Sequence, residues 1–258
     1  MKAVDIFESL ASLTWERIKL GQIHKVSQSE ETITDLNLLE IARINCPEVQ
    51  VVKTPKDKEK YQGTDWEWWI GNNRIGWLRY AVQAKKINPK NTRYDALAHK
   101  VDDILQIDIL EQFARVNRAI PLYCFYNYLE NIALEKYWRC NLFYEAEQFG
   151  CTITPSSNVR TALSKRGARK FNFLHSVAQT RPWRCLVRCP LMHQVYLTES
   201  TNHTSLGFEN VTVYQRLPSE LSAALETGSL NQFSSEFYNQ NLEMYPKRIL
   251  VANYIEFE

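Results

Sequence analysis

Apolar positions recur at helical spacing where the chain begins and at strand spacing soon after. Over residues 2–20, Ile6, Leu10, Leu13, Trp15, Ile18 and Leu20 fall near one helical face, which predicts an opening helix ended by Gly21. Gln28-Ser29-Glu30-Glu31-Thr32-Ile33-Thr34-Asp35 leads into Leu36, Leu38, Leu39, Ile41 and Ala42. That pattern predicts a second helix whose acids sit in the first turns, where the macrodipole favours negative charge. Pro47 to Lys53 reads as a short strand, and Lys53 to Gln62 as a charged, exposed connection.

Period two then takes over. Residues 65–70 and 76–86 predict a β-hairpin, with Gly71-Asn72-Asn73-Arg74-Ile75-Gly76 as its turn. Alternation puts Asp65 and Glu67 on one face and Trp66 and Trp68 on the other. On the returning strand Gln83 and Lys85 share a face, with Tyr80, Val82 and Ala84 opposite. A turn centred near Asn73 or Arg74 sets Asp65 roughly across from Ala81 to Gln83. One patch would then collect two carboxylates, a carboxamide and an ammonium.

After the break at Asn88-Pro89-Lys90-Asn91, a helical segment is expected from Tyr94 through about residue 116. Ala119 to Asn127 has the composition of a buried strand. Leu134 to Phe149 is read as helical, ending at Gly150, and Leu217 to Leu225 as a short helix. Arg248 to Phe257 reads as a terminal strand. Helices and strands in this order predict a mixed α/β fold (α+β in its order), a central mixed sheet flanked by helices. No repeat and no Pro/Gly/Ser-rich linker divides residues 1–258, so a single domain is expected, with a core at 28–127 and a C-terminal helical and strand elaboration at 128–258. That elaboration is a candidate substrate-binding or assembly region.

Composition narrows the partners. Apolar residues make up 45%, charged residues 23%, and the net charge is +2, so any nucleic-acid contact must use a local basic patch. The best candidate is Arg160 with Lys165, Arg166, Arg169 and Lys170, followed by Phe171, Phe173 and His175. Arg181-Pro182-Trp183-Arg184 is a second basic and aromatic knot. No apolar run reaches membrane-spanning length and no signal peptide is seen, so a cytoplasmic protein is expected. In that compartment the six scattered cysteines read as free thiols. Cys185, Cys189, His175 and His193 lack the close spacing of a zinc site.

The hairpin patch has the parts that phosphodiester cleavage needs. A hard divalent cation requires oxygen ligands, and Asp65, Glu67 and the Gln83 amide oxygen can supply them. Such a cation can activate water and offset growing negative charge. Lys85 can stabilise that charge or orient the nucleophile. Glu31 or Asp35 could add an acid from the preceding helix.

Asp65, followed eighteen positions on by Gln83-x-Lys85, resembles the PD-(D/E)xK nuclease signature. It resembles the variant in which Gln replaces the second acid, as in Mrr-like restriction endonucleases. The phrases Gly-Thr-Asp-Trp-Glu-Trp and Val-Gln-Ala-Lys-Lys are also similar to a bacterial domain family of uncharacterised function carrying that core. Thr64 stands where the signature has proline. The resemblance implies a restriction-endonuclease-like core: a helix, a three-stranded antiparallel meander, a crossover helix and a further strand. It implies Asp65 as metal-binding acid, Gln83 as the substitute acid, Lys85 as catalytic lysine and Glu31 as the helix-borne acid, with Glu67 as an extra or replacement ligand. Tyr94 and Gln106 would line the site as substrate contacts. The function implied is a Mg²⁺ (or Mn²⁺) dependent nuclease, on DNA in preference to RNA, in bacterial restriction or antiviral defence. A non-catalytic nucleic-acid-binding or assembly module on the same fold is the rival, and a homodimer is left open.

Overall fold

The computed structural model describes residues 1–53, 62–130, 132–188, 195–197, 202–204, 208, 210–227 and 245–253. Two helices open the chain, α1 (Ala3–Ile23) and α2 (Glu30–Ile44). Strands β1 (Val49–Lys53), β2 (Gln62–Asn72) and β3 (Gly76–Lys86) follow. A small hairpin, β4 (Lys100–Val101) and β5 (Ile104–Leu105), leads into α3 (Gln106–Val116) and β6 (Ile120–Tyr126). Then come β7 (Cys151–Pro155), α4 (Ser156–Ser164), α5 (Phe171–Ser176), β8 (Arg181–Pro182) and α6 (Cys185–Arg188). β9 (Val195–Leu197) and β10 (Asn202–Thr204) pair with each other, and β11 (Tyr245–Asn253) ends the described chain.

Seven strands form one mixed sheet in the order β1-β11-β2-β3-β6-β7-β8, flanked by helices, so the fold is the mixed α/β architecture expected. One expectation fails in a specific way. β1 does not join β2 and β3 in a meander, because β11 lies between β1 and β2, antiparallel to the first and parallel to the second. Ile249, Leu250, Val251 and Ala252 are all buried there. A strand apolar on both faces gains most from a central position, where the hydrophobic effect rewards both. The C-terminal segment therefore completes the sheet beside β2 rather than decorating it.

The hairpin forms as the alternation predicts. Asn72 pairs with Gly76, so residues 73–75 make the turn. The Asn72 Oδ1 accepts from the amides of Arg74 (2.8 Å) and Ile75 (2.9 Å), a side-chain mimic of a backbone turn. Gly71 has φ +149°, and a Cβ there would lie 2.1 Å from the Gly76 carbonyl oxygen, so no other residue fits. Trp66 and Trp68 meet edge to face at 5.3 Å, and Trp183 packs on both. Trp183 also stacks near Phe7 of α1 and donates to its carbonyl at 2.7 Å. The other face of the hairpin carries Arg79, whose Nη1 donates to the Asn117 carbonyl just beyond α3 (2.9 Å). Thus α1 covers one face of the hairpin and α3 the other. Trp66, Trp68 and Trp183 are core residues.

Two helical expectations are corrected. Between Tyr94 and α3 there is only a 3-10 turn, Asp95–Ala98, and then the β4–β5 hairpin. Asp102 and Asp103 adopt φ of +48° and +66° to close it, a turn that short polar side chains tolerate. Residues 134–149 hold two 3-10 turns, Leu134–Tyr137 and Ala146–Gly150, in place of a helix. The bonds of Trp138 Nε1 to the Leu142 carbonyl (2.8 Å) and Arg184 Nη2 to the Phe143 carbonyl (3.2 Å) hold the connection in an irregular path. The expected strand end at 254–257 and the connection at 54–61 lie outside the described residues.

Behind β6 a buried polar chain links three elements. The Tyr94 hydroxyl donates to Asn127 Oδ1, and Asn127 Nδ2 donates to Thr152 Oγ1 (3.2 Å). Thr152 Oγ1 lies 2.9 Å from His175 Nε2, whose Nδ1 faces the Phe171 carbonyl at 3.1 Å. Full burial keeps the imidazole neutral, so with Nδ1–H donating to the carbonyl, Nε2 accepts from the Thr152 hydroxyl. Burial holds its pKa down at about 3. An unfolded histidine titrates near 6.5, so in acid the unfolded chain takes up a proton that the native state refuses. Stability is intact above that value and falls as pH drops toward 3. From about pH 7.5 to about pH 5 the loss expected from this group is about 2 kcal/mol. Urea unfolding across that range should show it, and His175→Gln should flatten that slope.

Candidate functional site

The ladder between β2 and β3 runs from Asn72–Gly76 to Trp66–Val82. Extending that register puts Asp65 across from Gln83. Thr64 Oγ1 donates to the Val82 carbonyl at 2.6 Å and fixes the strand just beyond the last pair. Asp65 Oδ2 accepts the Ala84 backbone N–H at 2.9 Å and also the Gln83 side-chain amide. Gln83 therefore points its nitrogen at Asp65, so its amide oxygen is the atom that could serve as acceptor or as an oxygen ligand to a cation. Gln83 and Lys85 are both buried.

Lys85 forms an ion pair with Glu30, Nζ to Oε1, at 3.0 Å. The Lys85 side chain is 2% exposed and that of Glu30 is 26% exposed. The helix-borne acid that meets the lysine is thus Glu30, while the neighbouring Glu31 is exposed. The cap explains the one-residue difference. Ser29 accepts the Thr32 amide at 3.1 Å, making Ser29 the N-cap and Glu30 the first helical residue. Successive helical side chains diverge by about 100°, and the one turned to Lys85 is Glu30. Lys86, next on β3, donates to the Gln28 carbonyl at 2.5 Å, and burial lowers its pKa.

Glu67 shares the Asp65 face but is engaged elsewhere. It is fully buried, its Oε1 accepts from Trp69 Nε1 at 2.7 Å, and its Oε2 pairs with Arg79 at 2.8 Å. Its expected place as an extra metal acid is given up, because one oxygen is held by the Trp69 indole and the other by the Arg79 guanidinium, both in the core. Tyr94 is likewise a core residue: it is fully buried, stacks on Phe125 at 4.2 Å and spends its hydroxyl on Asn127. It cannot touch substrate from there. Gln106 opens α3 half-buried, and among the described residues its buried Oε1 has no hydrogen-bond partner.

Sequence reasoning passed over Tyr123. It pairs in register with Gln83 on the adjacent strand β6. Its hydroxyl is buried without a hydrogen-bond partner among the described residues. Burial, reinforced by the charges of Glu111 and Asp65, raises its pKa, so it remains a neutral donor. Only its place within an apolar strand was visible in the sequence, and that signalled core.

The basic segment is divided by the structure. Arg160 ties α4 to α3 through Asp108 (2.8 Å) and Glu111, so its charge is compensated. Lys165, Arg166, Arg169 and Lys170 lie on the α4–α5 connection, partly or fully exposed. That connection runs beside the segment leaving β3. The Tyr94 amide donates to the Arg169 carbonyl and the Phe171 amide to the Thr92 carbonyl, each at 2.9 Å, and Arg93 pairs with Lys170. Lys90 and Arg93 thereby join the four basic residues on one surface that starts where Lys85 and Lys86 end. Of the residues weighed for zinc, His175 is sequestered as described, and Cys189 and His193 lie outside the described residues.

The fold and the paired hairpin define a mixed α/β protein with an acid, a carboxamide and a lysine at the end of two central strands. The chain belongs to DUF6615, a family of unknown function whose model matches residues 3–256. No curated protein and no solved structure matches the chain. Among the described residues no helix is long and apolar enough to cross a membrane.

Proposed function

We propose that this protein is a divalent-metal-dependent nuclease, with DNA as the favoured substrate. The observation that carries the reading is the meeting of Asp65, Gln83, Lys85 and Glu30 at one end of the β2–β3 hairpin. The donor set suits Mg²⁺ or Mn²⁺: an Asp65 carboxylate, a Gln83 amide oxygen and a nearby Glu30 carboxylate are all hard oxygen ligands, and few protein ligands are needed when phosphate and water complete the shell. When bound, the cation supplies Lewis-acid activation for phosphodiester hydrolysis. Asp65 is held in position by the Ala84 N–H and the Gln83 amide. Lys85 places a positive charge where negative charge grows on the phosphate. Glu30 orients that ammonium. The surface formed by Lys90, Arg93, Lys165, Arg166, Arg169 and Lys170 provides phosphate contacts that do not depend on base sequence. A role in restriction or antiviral defence, in the cytoplasm, follows from the family resemblance of the motif.

Asp65→Asn keeps the shape and the Ala84 contact but removes the charge. Purified protein with Mg²⁺ or Mn²⁺ should cleave duplex DNA, and Asp65→Asn should lower the rate by on the order of a hundredfold or more. If neither duplex DNA, single-stranded DNA nor RNA is cut, or if the variant cuts as the parent does, the nuclease reading is wrong. A second reading, a non-catalytic nucleic-acid-binding module, is favoured by how fully the site satisfies itself: Gln83 amide on Asp65, Lys85 on Glu30. That reading expects salt-sensitive binding with no cleavage under the same conditions.

A further inference from the structure

The face that carries Asp65 continues past Gln83 onto the next two strands. Parallel register sets Tyr123 of β6 beside Gln83, and antiparallel register sets Thr154 of β7 beside Tyr123. Residues paired across a ladder point to one face. Asp65, Gln83, Tyr123 and Thr154 therefore form a polar row across four adjacent strands, which are spaced about 4.8 Å apart. Helices close over the row. Arg79, on the same face, reaches the Asn117 carbonyl after α3, and Asn158 of α4 donates to Thr154 Oγ1 at 3.0 Å. Asp65 accepts the Gln83 amide and the Ala84 N–H, and Thr154 Oγ1 also lies 2.8 Å from Thr180 Oγ1. Tyr123 is the exception. It is 0% exposed, its ring sits 6.2 Å from that of Phe125, and its hydroxyl has no hydrogen-bond partner among the described residues. Such a hydroxyl costs free energy in a folded interior and calls for a partner.

With Nε2 on Asp65, Gln83 aims a donor at the place where a cation on Asp65 needs an acceptor. A half-turn of the amide about its last side-chain bond exchanges the two atoms. It brings Oε1 to the Asp65 side. It also carries Nε2 away from β2 and toward β6, the neighbour of β3 on the other side, where Tyr123 stands. A phenol hydroxyl accepts as well as donates. We infer that Tyr123 is a positioning residue for Gln83: its hydroxyl accepts the Gln83 Nε2–H when the amide turns Oε1 toward a divalent cation on Asp65. The inference rests on the cation site of the nuclease reading and on nothing about its substrate. Cation binding then makes a hydrogen bond that the cation-free arrangement lacks. Tyr123 does not have to move, because β6 is held between β3 and β7. Burial, with the charges of Glu111 and Asp65, keeps the hydroxyl protonated, so it does not compete with Asp65 as an anionic ligand. Outer bonds of this kind fix which way a metal ligand faces.

Calorimetric titration of the full-length protein with Mn²⁺ reads the effect without catalysis. Tyr123→Phe should weaken Mn²⁺ binding by on the order of tenfold. Its urea midpoint without metal should be no lower than the parent's, because the hydroxyl it removes is unpaired there. Gln83→Glu presents an oxygen whichever way its carboxylate turns. In that background Tyr123→Phe should change Mn²⁺ affinity by less than about threefold. Equal Mn²⁺ affinity in the parent and Tyr123→Phe would overturn the inference and leave the cation site standing. So would an equal loss in both backgrounds, or a lower urea midpoint, since either makes the hydroxyl a general structural group. A parent that binds no Mn²⁺ would remove the cation site and the inference together. Weakened binding in Tyr123→Phe, beside a parent that cuts neither DNA nor RNA, would sink the nuclease reading alone.

Discussion

Arg79→Met is expected to cost about 3–5 kcal/mol of folding stability, because it strands a carboxylate in the core. Glu67 is 0% exposed, and its Oε2 is paired with the Arg79 guanidinium at 2.8 Å. The guanidinium also donates to the Asn117 carbonyl and lies over Trp69 at 5.3 Å. One substitution therefore removes a charge pair, a bond to the turn after α3 and a cation–π contact. The indole N–H of Trp69 would remain on Glu67, but a neutral donor does not replace the guanidinium in offsetting the desolvation of a full charge. Adding Glu67→Gln to Arg79→Met removes the stranded charge and should recover a large part of the loss. A double-mutant cycle by urea denaturation measures this. Additive losses would show that the two side chains do not act as a buried pair.

The same pair shows what the sequence made legible. Period-two alternation placed Asp65, Glu67, Gln83 and Lys85 on one face, and the register agrees, with Trp66 opposite Val82. Alternation cannot say what stands over that face. Arg79 shares it as well, two residues from Ala81, and claims Glu67 for the core. Glu30 against Glu31 turned on the N-cap, a matter of one residue. Tyr94 was expected to line the site, and what buries it, its partner Asn127, lies 33 positions away in the chain. The largest departure, β11 between β1 and β2, was invisible for the same reason: an apolar run announces a strand but not its neighbours. The helical expectation at 134–149 failed where the long-range bond from Arg184 to the Phe143 carbonyl and the bond from Trp138 to the Leu142 carbonyl outweighed local propensity. Local pattern carries the elements and their faces, whereas pairing and partners are fixed by tertiary contacts.

Lys85→Met is expected to separate function from stability in the way that Arg79→Met cannot. Lys85 and Arg79 are both buried cations on β3, each paired with one carboxylate. Their partners differ. Glu67 has no water to fall back on, whereas Glu30 sits at the first turn of α2 with its side chain 26% exposed. Losing the lysine lets Glu30 rehydrate at a helix N-terminus, where the macrodipole still favours it. Methionine fills the same unbranched volume without a charge to desolvate. Stability should therefore change by no more than about 1 kcal/mol in either direction. If the hairpin site hydrolyses phosphodiesters, the same substitution should lower the cleavage rate by on the order of a hundred- to a thousandfold, since a preorganised charge at the reacting phosphate is lost. Glu30→Gln gives the complementary result: the ammonium stays but loses its ionic partner, so stability falls while part of the rate survives. Unfolding curves and single-turnover cleavage on the same preparations distinguish the cases. A stable Lys85→Met protein that cleaves at the parental rate would remove Lys85 from the chemistry and leave it a structural cation like Arg79.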